Sequence, residues 1–153
     1  MKKTIMNEEE RYDLCLADNQ YNRLEETDTA RIKSMVSIAT NDMEYTKIRE
    51  PKADLKKECG TVFKLHYDCL HGLCEAFVMF DRIKISSHEC LFVYICAKHK
   101  ELELDLKFFD DIRTKRNGIC YYGAPIELEY WNKIKLQLSI YISAIKKAIE
   151  EKL

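Results

Sequence analysis

Residues 54–82 read DLKKECGTVFKLHYDCLHGLCEAFVMFDR, and their periodicity decides the fold class. Leu55, Cys59, Val62, Phe63, His66, Cys69, Leu70, Leu73, Phe77 and Phe80 recur at spacings of three and four. That pattern predicts one long helix from about Asp54 to Arg82 with a broad apolar stripe. Gly60 and Gly72 lie inside it, and each costs about 1 kcal/mol relative to alanine, so close helix contact is the expected reason for them. A turn is expected at Lys84 to Ser87. Ser86 and Glu89 have capping-box spacing for a short helix through Leu91, Tyr94, Ile95 and Lys98. Residues Leu91 to Ala97 are almost wholly apolar, which points to burial on most sides or to a subunit contact.

Further helices flank this pair. Residues 1–10 are polar and expected to fray. Glu8 to Arg23 can form a first helix, with Tyr12, Cys15, Leu16 and Tyr21 inward. Asp28 suits the N-cap of a second, in which Ile32, Met35, Val36, Ala39 and Met43 recur, and Pro51 ends it by pushing Glu50 out of helical geometry. Asp105 can cap a fifth helix, closed by Gly118 and the YYGAP turn. Pro125 suits the first turn of a last helix carrying Leu128, Trp131, Ile134, Leu138, Tyr141, Ile145 and Ile149. Only four glycines and two prolines occur in 153 residues, which favours long helices over many-turned sheets. The expected fold is one all-α domain over residues 1–153, an antiparallel up-and-down bundle of four core helices plus one or two short ones.

Composition narrows the function. The formal net charge is −1, so a global basic field for nucleic acid is absent and any such binding needs a local patch. No apolar run approaches the roughly 18 residues of a spanning helix, and the start MKKTIMNEEERY lacks the apolar middle of a signal peptide. A cytoplasmic protein with no membrane partner is expected. Seven cysteines, an odd number without a CxxC, argue against a disulfide framework. His66, Cys69, His71 and Cys74 are dense enough in soft ligands to raise zinc. On one helix, however, the two His–Cys pairs point different ways, so the cysteines are read as core, His71 as surface, and no metal is assigned. His88 and Glu89 are read as a helix start with a charge favourable to its dipole, the alternative for His88 being a hydrogen bond to a neighbouring subunit. The acidic runs Glu8–Glu10 and Glu101–Asp105 read as solvated surface.

One stretch concentrates chemistry: DDIRTKRNGICYYG, Asp110 to Gly123. On a helix, Phe108, Ile112, Ile119 and Tyr122 share a narrow stripe, and Arg113, Arg116, Asn117 and Tyr121 fall opposite. Arg113, Lys115 and Arg116 form the only tight basic cluster. They can bind phosphate, or pair with Asp110 and Asp111 as ordinary helix ion pairs. Phe108, Phe109, Tyr121, Tyr122 and Tyr130 could stack on bases. Phe108 and Tyr122 fit the core better, and Tyr121 is the one expected at the surface.

RNGICYYG, with LHYDCLHGLCEAFVMF and SSHECLFVYI upstream, resembles the HEPN superfamily, the nucleotide-binding domains shared by higher eukaryotes and prokaryotes. The resemblance covers roughly His66 to Leu153. It implies a small helical bundle, in many members a metal-independent ribonuclease and often a toxin, with a minimal nucleotidyltransferase as frequent partner. The family signature is Arg, usually followed by Asn, His or Asp, then His after four to six intervening residues. Arg116-Asn117 matches its start, which implies Arg116 as phosphate clamp and Asn117 as its orienting neighbour. Five residues after Arg116 stands Tyr121 instead of histidine, and a phenol is a poor base near neutral pH. Arg116, Asn117 and Tyr121 are thus the catalytic candidates. Arg113, Lys115, Arg116, Tyr122 and His88 are the nucleotide- or RNA-binding candidates, with no cofactor. On an ideal helix Arg116 and Tyr121 lie roughly 140° apart, so a homodimer is expected to complete the site. Three readings follow in order: an RNA- or nucleotide-binding module or nucleotidyltransferase partner in a toxin–antitoxin-like system; a metal-independent endoribonuclease using Arg116 and Tyr121; and a structural dimer without ligand.

Overall fold

The computed structural model describes residues 5–153, and within them the chain is an all-α helical bundle carrying one two-stranded ribbon. The helices are α1 (Glu8–Ala17), α2 (Thr29–Arg49), α3 (Leu55–Val78), α4 (His88–Lys98), α5 (Leu106–Tyr122) and α6 (Leu128–Lys152). The strands are β1 (Tyr21–Arg23) and β2 (Ile83–Ile85). α3 is the axis of the molecule, packing against α2, α6, α4 and α5. This placement explains why its buried set is wider than one stripe. Tyr67, Cys74, Ala76 and Val78 are buried along with the expected residues from Cys59 to Phe77, whereas Leu55 and Phe80 at the two ends are only partly buried. On α6, Trp131, Ile134, Leu138, Tyr141, Ile145 and Ile149 are buried at the expected spacing, with Trp131 edge-on to His66 and Phe63. Leu91 to Cys96 of α4 are buried all round within the single chain, so their apolar run needs no second subunit.

Several local expectations are corrected. Of the terminus expected to fray, residues 1–4 lie outside the described residues, and Glu8–Glu10 already form the first turn of α1. Asn7 caps that turn in a reciprocal box with Glu10. α1 stops at Ala17 rather than Arg23, because Asn19 adopts the left-handed conformation (φ 54°) that an Asn side chain tolerates. The chain then pairs β1 antiparallel to β2, Tyr21 opposite Ile85 and Arg23 opposite Ile83, where a simple turn was expected. α3 gives way to a 3-10 turn at Met79–Asp81 before Arg82. Glu50 keeps helical dihedrals despite the following proline, because it is the first residue of a 3-10 turn, Glu50–Lys52, whose early positions tolerate the missing N–H of Pro51. Ser87, not Ser86, caps α4, accepting from the Cys90 amide at 3.2 Å. Pro125 precedes α6 instead of entering it, and Glu127 is the N-cap. Neither α3 glycine is forced by contact. A Cβ at Gly60 would meet only Ile119 at 3.9 Å, and one at Gly72 nothing within 4 Å.

The largest correction concerns the cysteines. Cys15 on α1 and Cys90 on α4 are joined in a disulfide across 75 residues, their Cα atoms 5.8 Å apart. Four other cysteines, Cys59, Cys69, Cys74 and Cys96, are buried and free, and Cys120 is exposed. Among the described residues no helix is long and apolar enough to cross a membrane.

Candidate functional site

α5 is anchored at its N-terminal half only. Asp105 caps it by accepting from the Lys107 amide, and Leu106, Phe108, Phe109 and Ile112 are buried. Beyond Ile112 burial thins: Arg113, Arg116, Asn117 and Ile119 are half-buried, and Cys120, Tyr121 and Tyr122 are exposed. Tyr122, expected in the buried stripe, is 83% exposed. Ile119 still packs against the core beside Gly60, but Tyr122, one turn further along the same stripe, finds no partner. Gly118 does not end the helix. It accepts from the amides of both Gly123 and Ala124, and Gly123 makes the left-handed cap at φ 62°.

The basic ridge is not neutralised by its own carboxylates. Asp110 is taken bidentately by Arg11 of α1 at 2.5 and 2.9 Å, and Asp111 accepts the Tyr130 phenol at 2.7 Å. Arg113 lies only loosely against Asp110, at 3.9 Å, and its Nε is buried without a hydrogen-bond partner. Lys115 sits over the Tyr130 ring at 4.8 Å. Among the described residues Arg116 has no carboxylate within ion-pair distance. Its guanidinium lies over the Tyr67 ring, 5.6 Å from the centroid. Burial works against its charge, but Cys120, Tyr121, Asp68 and Tyr67 outweigh this and hold its pKa above the ordinary arginine value. Tyr121, itself 70% exposed, lies close enough to favour that charge, but among the described residues no hydrogen bond joins the two side chains.

Sequence reasoning missed what stands beside Arg116. His71 of α3, expected at the surface, is tucked in and stacks face to face on His88 of α4, ring centroids 3.7 Å apart. The fully buried Tyr67 lies nearly parallel to both rings and bonds His88 Nδ1 through its hydroxyl at 2.9 Å. His88 thus has a partner for Nδ1 inside the chain. Burial, followed by the neighbouring His88 and Arg116, pulls the His71 pKa down to about 3. Burial and then Arg116 lower that of His88 too, against an opposing pull from Asp68. Burial raises the Tyr67 phenol above its ordinary value, although Arg116 and Arg113 oppose it. At neutral pH the cluster is thus two neutral imidazoles and a protonated phenol beside one guanidinium, and the phenol can donate to an unprotonated His88 Nδ1. His71 Nε2 is buried without a hydrogen bond, 3.4 Å from Glu75 but misaligned for one. The i,i+4 spacing of Tyr67 and His71 on α3 is the signal in the sequence. It becomes informative only once α4 is known to lie across α3.

Elsewhere His66 Nδ1 bonds the Val62 carbonyl at 2.8 Å, and Cys69 and Cys74 are packed in the core. Among the described residues no three His, Cys, Asp or Glu side chains are placed to hold a metal ion.

Fold and site together define a class: an all-α bundle presenting an unneutralised arginine beside an imidazole–phenol stack. Compared with family models, curated proteins and solved structures, the chain matches none.

Proposed function

We propose that this chain is a cytoplasmic HEPN-like module that binds phosphates of RNA or a nucleotide through Arg116 and Arg113. In this reading Lys115 adds charge at the rim, and Asn117 and Tyr121 orient the clamp. His88 and the exposed Tyr122 border the bound strand. The protein acts as a homodimer or beside a minimal nucleotidyltransferase, in a toxin–antitoxin-like pair. The observation that carries the reading is the state of Arg116. Two aspartates lie within two turns of it on the same helix, yet Arg11 and Tyr130 occupy them and the guanidinium is left for another anion. An arginine fork free of carboxylates is suited to bidentate phosphate recognition.

The His71–His88 pair favours a second reading, in which the chain cuts RNA without metal. If the Tyr67 hydroxyl accepts from His88 Nδ1–H instead of donating to it, His88 Nε2 is free to take the 2′-hydroxyl proton that Tyr121 cannot. One experiment separates the two. Labelled single-stranded RNA is titrated with the protein in EDTA at low salt, with binding and strand integrity followed together. The binding reading expects intact RNA, saturable binding, and a loss of at least several-fold in Arg116→Ala that Arg116→Lys partly restores. Cleavage that disappears in Arg116→Ala establishes the enzyme reading instead. RNA that stays both intact and unbound eliminates both.

A further inference from the structure

We propose that the Cys15–Cys90 disulfide latches α1 as a redox-released strap that tunes the charge next to Arg113 and Arg116. This regulation rests on the phosphate-binding reading of that site.

α1 is a short helix whose main packing partner is α4. An isolated ten-residue helix is marginal in water, so its place on the bundle depends on tertiary ties. The covalent tie enters the first turn of α4, two residues after His88. One turn before Cys15, Arg11 reaches across α4 and α5 to bond Glu89 at 2.9 Å and both oxygens of Asp110. The disulfide and the guanidinium thus sit on adjacent turns of the same strap, and what frees one loosens the other. Asp110 is also the carboxylate nearest Arg113, 3.9 Å away. With the strap in place, one cation offsets two carboxylates at the edge of the site. With the strap withdrawn, Glu89 is uncompensated beside His88 and the strongest neighbour left to Asp110 is Arg113. Both changes oppose an incoming phosphate.

The chemistry needs a small thiol as co-reactant. Its thiolate attacks one sulfur of the pair, and the other sulfur leaves as a thiolate and takes a proton from water. A second small thiol resolves the mixed disulfide. Two cysteine thiols are gained and the small thiol becomes its own disulfide; the reverse exchange with a small disulfide restores the latch. A disulfide in a chain of the reducing cytoplasm is the kind that cycles rather than one that is permanent. Burial raises the thiol pKa of Cys69, Cys74 and Cys96, which makes them poor competitors in exchange.

The test uses the full chain, oxidised or treated with dithiothreitol, in two assays. Limited trypsin digestion should cut after Arg11 and Arg23 faster in the reduced protein, and Cys15→Ser should behave as reduced whatever the treatment. RNA affinity at low salt should fall on the order of five-fold on reduction, the effect of one uncompensated charge near the site, and the difference should shrink as salt rises. Arg11→Ala should show the same fall with the disulfide intact. Equal digestion in both states overturns the latch, and faster digestion with unchanged affinity overturns the tuning. RNA binding absent in both states, and equally absent from Arg116→Ala, overturns the phosphate reading and the tuning with it, while the digestion still decides whether the latch exists.

Discussion

Acid should weaken this fold through one imidazole, and the size of the effect follows from where His71 sits. Buried first of all, then stacked on His88 and within reach of the Arg116 charge, its imidazole is pushed down to about 3, against about 6.5 for an unfolded histidine. The folded chain therefore resists a proton that the unfolded chain accepts. His71 contributes its full stability above about pH 6.5, and that contribution is lost as the pH falls from there towards 3. At about 1.4 kcal/mol per unit, the loss between pH 7 and pH 5 is roughly 2 kcal/mol, and the complete window is worth about 5. His88 and His66, also lowered, act in the same direction. Glu75, whose carboxyl is raised by burial, acts oppositely: its cost to the fold is relieved as the pH falls through its raised pKa towards about 4.5. Urea denaturation at constant ionic strength, followed by Trp131 fluorescence, measures the difference. With a slope near 2 kcal/mol per molar, the midpoint should fall by about 1 M or more from pH 7 to pH 5. In His71→Asn that fall should shrink by about 1 M, the equivalent of about 2 kcal/mol. Equal pH dependence in the two proteins, or an NMR titration of His71 near 6.5, would refute the reasoning.

Other changes have definite expected outcomes. Trp131→Ala empties a fully buried site and should cost roughly 3–5 kcal/mol in chemical denaturation; Trp131→Phe should cost clearly less, since the indole N–H it removes has no hydrogen-bond partner. Gly123→Ala places a Cβ on a left-handed residue and should cost about 1–2 kcal/mol, read as a lower melting temperature with RNA binding intact. Cys15→Ser opens a closure of 75 residues and should lower stability by up to about 4.5 kcal/mol on a chain-entropy basis, with a denaturation midpoint that no longer responds to reductant.

The all-α fold was legible because its main signals are local. The stripe of α3, the spacing on α6 and the caps at Asp28 and Asp105 are read within a few residues of one another, and all appear in the structure. What could not be read depends on distant pairings. β1 and β2 are three residues each and sixty positions apart, too short for a strand period to show. Cys15 and Cys90 become partners only because α1 lies on α4. Tyr122 sits on the helical stripe of Phe108 and Ile112, but a stripe says where a side chain faces, not whether anything is there to meet it. The site was half legible for the same reason. Arg116, Asn117 and Tyr121 are neighbours in sequence, whereas the imidazoles beside Arg116 arrive from two other helices. The missing motif histidine is a fact about α5 alone, and it says nothing of His71 and His88, which reach the surroundings of Arg116 from α3 and α4.

The most direct test of Arg116 as a phosphate-binding cation is to watch its side chain. In a spectrum of arginine Nε–H resonances, assigned through Arg113→Lys and Arg116→Lys, a short single-stranded RNA is titrated in at low salt. The account predicts that Arg116 and Arg113 shift first and together, that Arg49 of α2, whose Nε–H is held by the Tyr45 hydroxyl, stays still, and that added salt reverses the change. Resonances of Arg116 and Arg113 that do not move while others do, or a spectrum unchanged at saturating RNA, would contradict it.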